Sequence, residues 1–178
     1  MVEIVRATTQ LQFQAIDELM EEYIAWDAEQ TAKLGLDPQV FLSFYYGVEP
    51  EVLPGKFAPP TGCLLLALLD GQAAGCVGYS RLTDAVCELK RLYVRPQCRG
   101  NGIGTLLIDK LIEQARLSGY RRVKLETGRF MTEAHQLYQS FGFEFCPPYF
   151  EMPESLRELT YFMELRLDSS SKTNDEEH

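Results

Sequence analysis

Glu88-Leu-Lys-Arg-Leu-Tyr-Val-Arg-Pro-Gln-Cys-Arg99-Gly-Asn-Gly102-Ile-Gly104 decides how this chain is read. Its first half alternates and is rich in branched and aromatic residues, the pattern of a strand. Pro96 ends that strand, and Thr105 to Leu117 carries a helical repeat, so the unit is strand, glycine-rich turn, helix. Three glycines in five positions leave little side chain between the backbone and an approaching group, and Gly permits the positive φ of a tight loop. The free N–H groups of a helix start, with the positive end of its dipole behind them, favour phosphate. Arg99 adds a fixed charge with several donors. The spacing excludes two common phosphate loops. A dinucleotide fingerprint needs G-x-G-x-x-G, and a P-loop ends in G-K-[S/T]; neither is present here.

A second motif lies downstream, Ala134-His-Gln-Leu-Tyr138-Gln-Ser-Phe-Gly142-Phe143. Arg99-x-x-Gly102-x-Gly104 after a strand, followed by A-x-x-x-Y-x-x-x-G-F, resembles the GNAT superfamily, the GCN5-related N-acetyltransferases. The resemblance implies a mixed α/β (α+β) fold, the acyl-CoA N-acyltransferase fold. Its central sheet would be mixed but mostly antiparallel, with six to seven strands flanked by about four helices. It implies acetyl-CoA as co-substrate and no metal. The pyrophosphate would lie on Arg99, Gly100, Asn101, Gly102, Ile103, Gly104 and Thr105. The backbone of Leu92, Tyr93 and Val94 would meet the thioester carbonyl and the pantetheine arm. Tyr138, four residues before Gly142, would be the general acid that protonates the departing thiolate; its other reading is a core tyrosine at helical spacing. One departure stands out. Many relatives carry Asn three residues before the Ala of the second motif, where this chain has Met131.

Acetyl transfer to an amine meets a simple obstacle. A lysine-like amine has a pKa of about 10.4, so at pH 7 about one molecule in a few thousand is neutral and nucleophilic. A nearby carboxylate can accept the proton. Glu88, near the start of the strand that leads into the loop, is the first candidate base, because family histone acetyltransferases place a Glu at a similar point. Its other reading is a pair with Lys90, two residues along on the same face. Glu126 on the neighbouring strand is the second candidate. Lys90, Arg91 and Arg129 could place cations around an acceptor that carries its own carboxylate, or be solvated or paired. Tyr149, in Pro147-Pro-Tyr149-Phe150, could form a lid or a rigid surface turn.

The rest of the chain fits one domain, residues 1–167, with a polar, disordered tail over 168–178. A strand is expected over Val2 to Ala7 and a helix from about Gln10 to Ala28, capped by Thr8 or Thr9. A short helix opens at Asp37-Pro38, and the aromatic run from Tyr23 to Tyr46 suits core packing or a wall of the acceptor site. Glu49 to Thr61, with four prolines, reads as a loop. Cys63–Leu69 and Gln72–Arg81 flank Asp70-Gly71, a hairpin signal. Later strands are expected over Arg122–Thr127, Phe143–Cys146 and Tyr161–Leu167, with a helix over Thr132–Phe141. Five cysteines without a C-x-x-C pair suggest reduced thiols and a cytoplasmic protein. Two histidines cannot build a His-rich metal site. A net charge of −9 disfavours nucleic acid, and no apolar run is long enough for a membrane partner. The expected activity is acetylation of the primary amine of a small metabolite. Two alternatives stay open: a protein lysine or N-terminal acetyltransferase, and a regulatory acyl-CoA-binding module without turnover. The resemblance also allows a homodimer.

Overall fold

The computed structural model describes residues 1–47 and 51–168. The sequence forms β1 (Val2–Arg6), α1 (Gln10–Lys33), α2 (Pro38–Tyr46), β2 (Cys63–Leu69), β3 (Gln72–Arg81) and β4 (Val86–Val94). There follow α3 (Ile103–Leu117), β5 (Arg122–Gly128), α4 (Thr132–Ser140), β6 (Glu144–Cys146), α5 (Glu154–Arg157) and β7 (Thr160–Arg166). The strands make one seven-stranded sheet in the order β1-β2-β3-β4-β5-β7-β6. Every neighbouring pair is antiparallel except β4 and β5, which α3 joins as a parallel crossover. This is the mixed, mostly antiparallel sheet expected from the sequence. The expected tail lies outside the described residues except for Asp168, as does part of the proline-rich loop.

Local chemistry sets most of the boundaries. Thr9 Oγ1 accepts from Gln12 N at 3.3 Å, and Gln12 Oε1 accepts from Thr9 N at 3.1 Å, a reciprocal capping box at the start of α1. The helix runs past Ala28 to Lys33, because nothing breaks it before Gly35, which adopts φ +77°. Asp37 caps α2 by accepting from Gln39 N at 2.9 Å. Asp70 and Gly71 both take positive φ (50° and 81°), as a two-residue hairpin turn requires. The four-residue α5 has no counterpart in the sequence reading.

Apolar side chains pack on both faces of the sheet. One core joins α3 and α4 to the sheet through Leu65, Val77, Leu107, Leu111, Leu125 and Met163. The other joins α1 through Ile16, Leu19, Leu64, Leu66, Cys76 and Tyr93. The two cores expose an irregularity in β4. Cys87 and Leu89 point into the α3 core, yet Tyr93, an even number of residues on, packs in the α1 core. One extra residue accounts for this change of phase: Cys76 faces Tyr93 while Gly78 faces Lys90, so two steps on β3 match three on β4. Arg91 sits in this bulge at φ +64°, and its carbonyl accepts from Cys76 Sγ at 3.3 Å.

The bulge lies where β4 leaves β5. The parallel pairing covers only Val86–Arg122, Cys87–Val123 and Glu88–Lys124. Beyond it, β4 continues with β3 to Val94 and β5 continues with β7 to Gly128. The sheet therefore opens as a wedge between them.

On β3, Gly78 lets the 3₁₀ turn Gly55–Phe57 lie against the sheet. A Cβ there would sit 2.8 Å from Cys63 O and 3.1 Å from Phe57 Cδ1. Gly78→Ala should lower stability by about 1–3 kcal/mol, the usual cost of overpacking, read as a fall in urea midpoint at constant slope.

Candidate active site

The wedge between β4 and β5 leads into a cavity of about 910 Å³, roofed by α1 and α2 and closed at one end by the start of α4. In the loop that follows β4, Gly100 and Gly102 hold positive φ (84° and 73°), and nothing lies within 4 Å of a Cβ built on either. Gly102 caps α3, so the N–H groups of Ile103, Gly104 and Thr105 have no acceptor within the helix. Arg99 is exposed, with Nε donating to Val94 O at 3.1 Å, and Asn101 Nδ2 donates to Cys98 O at 2.8 Å. A Cβ on Gly104 would meet Leu137 Cδ2 at 3.1 Å, so this glycine also brings α3 close to α4. These are the features a pyrophosphate needs: open backbone donors, a helix dipole and one guanidinium. Leu92 lines the cavity, whereas Tyr93 turns away and donates to Glu22 Oε2 at 3.3 Å.

The structure separates the two candidate bases. Glu88, 5% exposed, is held on both oxygens: Tyr149 Oη donates to Oε2 at 2.6 Å, and Lys90 Nζ lies 3.2 Å from Oε1. It is absent from the cavity wall, while Glu126 is part of it. Burial raises the Glu126 carboxyl to about 7; Lys90 draws it down, and Glu88 and Asp27 push it up. Tyr138 is 5% exposed and also lines the cavity. Burial, and then the Glu126 charge, raise its phenol well above the usual value, so it stays protonated near neutral pH.

Lys90 and Arg91 both reach the wall. Arg91 is paired with Glu51 Oε2 at 3.0 Å and stacks over Phe57 at 5.1 Å. Arg129 and Tyr149 do not reach it. The Arg129 guanidinium lies 4.9 Å from the Tyr161 ring centre, beside a separate cleft of about 370 Å³. Tyr149 packs edge-on to Phe150 and Phe162. Met131, where relatives carry Asn, lines the cavity with Sδ 3.9 Å from Tyr23 Oη and 4.0 Å from Thr127 Oγ1. Among the described residues no group of three His, Cys, Asp or Glu is placed to hold a metal ion.

The sequence reading missed Asp27. It is 3% exposed, lines the cavity, and accepts from Tyr46 Oη at 2.5 Å. Burial raises its carboxyl to about 6, against the lowering effect of the Tyr46 hydrogen bond. A signal was present: Met20, Tyr23, Asp27 and Thr31 recur at helical spacing, so the acid continues the apolar stripe of α1. Tyr45 Oη lies 2.8 Å from Thr160 Oγ1, so α2 is tied to both α1 and β7 over the cavity.

A family model, Acetyltransferase (GNAT) family, matches residues 15–143. An uncharacterized N-acetyltransferase of Schizosaccharomyces pombe is 40% identical over 100 residues, 55% of this chain and 61% of that protein. The N-acetylaspartate synthetase of Danio rerio is 42% identical over 89 residues, 49% of this chain and 32% of that protein. The matched part of this chain thus spans less than two thirds of these relatives. An acetyltransferase of GNAT family from Staphylococcus aureus MU50 superposes with a TM-score of 0.68 at 20% identity, covering 94% of this chain and 99% of that one.

The buried acid on α1 carries a stability cost with a defined sign. The folded-state pKa of Asp27 is raised from 3.8 to about 6. Its contribution to folding is therefore most favourable below the unfolded value and is lost as pH rises through about 6. Asp27→Asn keeps an acceptor for Tyr46 and removes the charge. The variant should be more stable than wild type at pH 8, by up to about 3 kcal/mol. The advantage should vanish near pH 4, as read by thermal melts at both pH values.

Proposed function

Because the chain belongs to the acetyltransferase (GNAT) family, we propose that it transfers the acetyl group of acetyl-CoA to a primary amine of a small molecule. Transfer occurs by direct attack within a ternary complex. The observation that carries this reading is that Glu126 and Tyr138 both line the cavity into which the wedge opens. The open backbone donors of Gly100 to Thr105, in the loop and helix start that follow β4, support it.

The co-substrate supplies an activated acyl group and a thiolate leaving group. The chain's own residues do the rest. The N–H groups of Gly100 to Thr105, with Arg99, hold the pyrophosphate. Beyond Glu88, β4 has no strand on the β5 side, and its backbone around Leu92 receives the pantetheine arm and the carbonyl oxygen. Met131 lines that path with a thioether in place of an amide. Glu126, poised near neutrality, accepts the amine proton as nitrogen bonds to the acyl carbon. Tyr138 gives its proton to the departing sulfur. The two transfers reinforce each other: the Glu126 charge helps hold the Tyr138 phenol up, and protonating Glu126 removes it. Glu88 is read here as a positioning residue that anchors Lys90, since both its oxygens are engaged.

The roof of α2, tied down through Tyr45 and Tyr46, supports a small acceptor over a peptide. The compartment proposed is the cytoplasm, on the five unpaired cysteines.

The test is acceptor-dependent release of CoA. Glu126→Gln should lower kcat/KM about 10²–10⁴-fold and erase the break in the pH profile near 7. Tyr138→Phe should lower kcat by about 10²-fold with acetyl-CoA affinity retained. Tight acetyl-CoA binding with no turnover on any amine, in wild type and variants alike, would contradict the enzyme and leave a binding module.

A further inference from the structure

The cations around the cavity are paired with acids, and two of its acids that are shielded from solvent are in no ion pair among the described residues. Lys90 pairs with Glu88 at 3.2 Å, Arg91 with Glu51 at 3.0 Å, and Lys56 lies 3.9 Å from the same Glu51. These two are Asp27, buried, and Glu126, half-buried. Among the described residues neither has a cationic partner within 4 Å, and Asp27 has only the Tyr46 hydroxyl. Around them the wall is aromatic, with Tyr23, Tyr45, Tyr46, Phe41 and Phe130. A carboxylate nearly closed to water and left without a cation is costly. A carboxylate ringed by aromatic faces is a site for an organic ammonium.

The reaction proposed above accounts for one of these acids. Glu126 takes the proton of the attacking amine, which must be neutral when it attacks. Asp27 has no part in that step and lacks a counter-charge. Resting on that reading, we propose that the acceptor carries two amino groups. Asp27 and the Tyr23–Tyr45–Tyr46 ring hold one as the ammonium, while the other loses its proton to Glu126 and is acetylated. The preferred acceptors are then aliphatic diamines. An acceptor with a carboxylate would face cations that are already paired and would add a third negative charge beside Asp27 and Glu126.

The titration of the site agrees. Asp27 is raised to about 6 and Glu126 to about 7. The groups facing Asp27 are Tyr23 on its own helix, Tyr45 and Tyr46 on α2 and Glu126 on β5. None brings a positive charge to Asp27; Glu126 also faces Glu88 and Lys90 on β4 and Tyr138 on α4, and of the two acids Lys90 draws only Glu126 down. A bound diammonium supplies it, displaces protons from the acids, and binds more tightly as pH rises from 5 to 7.5.

The test is calorimetric binding to the whole chain saturated with CoA. The probes are 1,4-diaminobutane, butylamine and 4-aminobutyrate, titrated into wild type and Asp27→Asn, with a thermal melt and a CoA titration to verify the fold of the variant. The diamine should bind at least about tenfold more tightly than either other probe, the scale of one charge-assisted contact. That preference should collapse in Asp27→Asn. Equal or tighter binding of butylamine or 4-aminobutyrate, or a preference that survives the substitution, overturns the proposal. Turnover is scored separately. Asp27-dependent diamine binding without acetyl transfer would defeat the enzymatic reading and leave the diamine site standing. Acetyl transfer with no dependence on Asp27 would do the reverse.

Discussion

The structure depends on the short parallel contact between β4 and β5. Three residue pairs hold the strands together, and then the bulge at Arg91 turns β4 away. A strand edge inside a sheet leaves backbone donors and acceptors without partners, which is unfavourable unless something else occupies the gap. Here the gap is the functional feature. It opens into the cavity, and the change of phase at Arg91 turns Tyr93 into the α1 core and packs Leu92 against the α3 core, at the cavity's edge. The rest of the sheet compensates: β1, β2 and β3 pair over most of their length, as do β5 and β7, and an apolar core lies on each face.

The same gap explains why two carboxylates can stand so far from their usual protonation range. Glu126 lies on β5 just past the last parallel pair, where a paired β4 would have brought Lys90 alongside it. Lys90 pairs instead with Glu88, which Tyr149 fixes from the other side, and acts on Glu126 through its charge without touching it. Asp27 reaches the cavity from α1 with only a tyrosine hydroxyl for company. Both acids cost folding free energy when ionised. Such a cost is expected where a chain keeps reactive or ligand-binding charge in place.

What could be read from the sequence was what is local. The loop Arg99 to Gly104 and the stretch Ala134 to Phe143 declare themselves through spacing. Asp70-Gly71 announces its hairpin, and Thr9 and Asp37 their caps. What depends on long-range geometry was not legible. Glu88 and Glu126 are both acids on adjacent strands facing the same side, and only the splay decides which one meets the cavity. Arg129 follows Gly128 at the end of β5, so a slight turn of backbone sends it to Tyr161 and out of the site. The end of α1 was placed too early, because Glu29 to Lys33 are competent helix residues and no breaker precedes Gly35. Asp27 was visible as an acid on an apolar stripe, yet its role emerged only once α2 was seen above it.

The central claim is that Asp27, buried, and Glu126, half-buried, line the cavity with no cation within 4 Å of either among the described residues. It is tested most directly by following their side-chain carboxyl ¹³C resonances with pH, assigned by comparison with Glu126→Gln and Asp27→Asn. The account predicts apparent midpoints of about 7 for Glu126 and about 6 for Asp27. Both should fall when a diamine is added. Midpoints near the ordinary carboxylate value of about 4, unmoved by the diamine, would show the acids already solvated or paired and would contradict it.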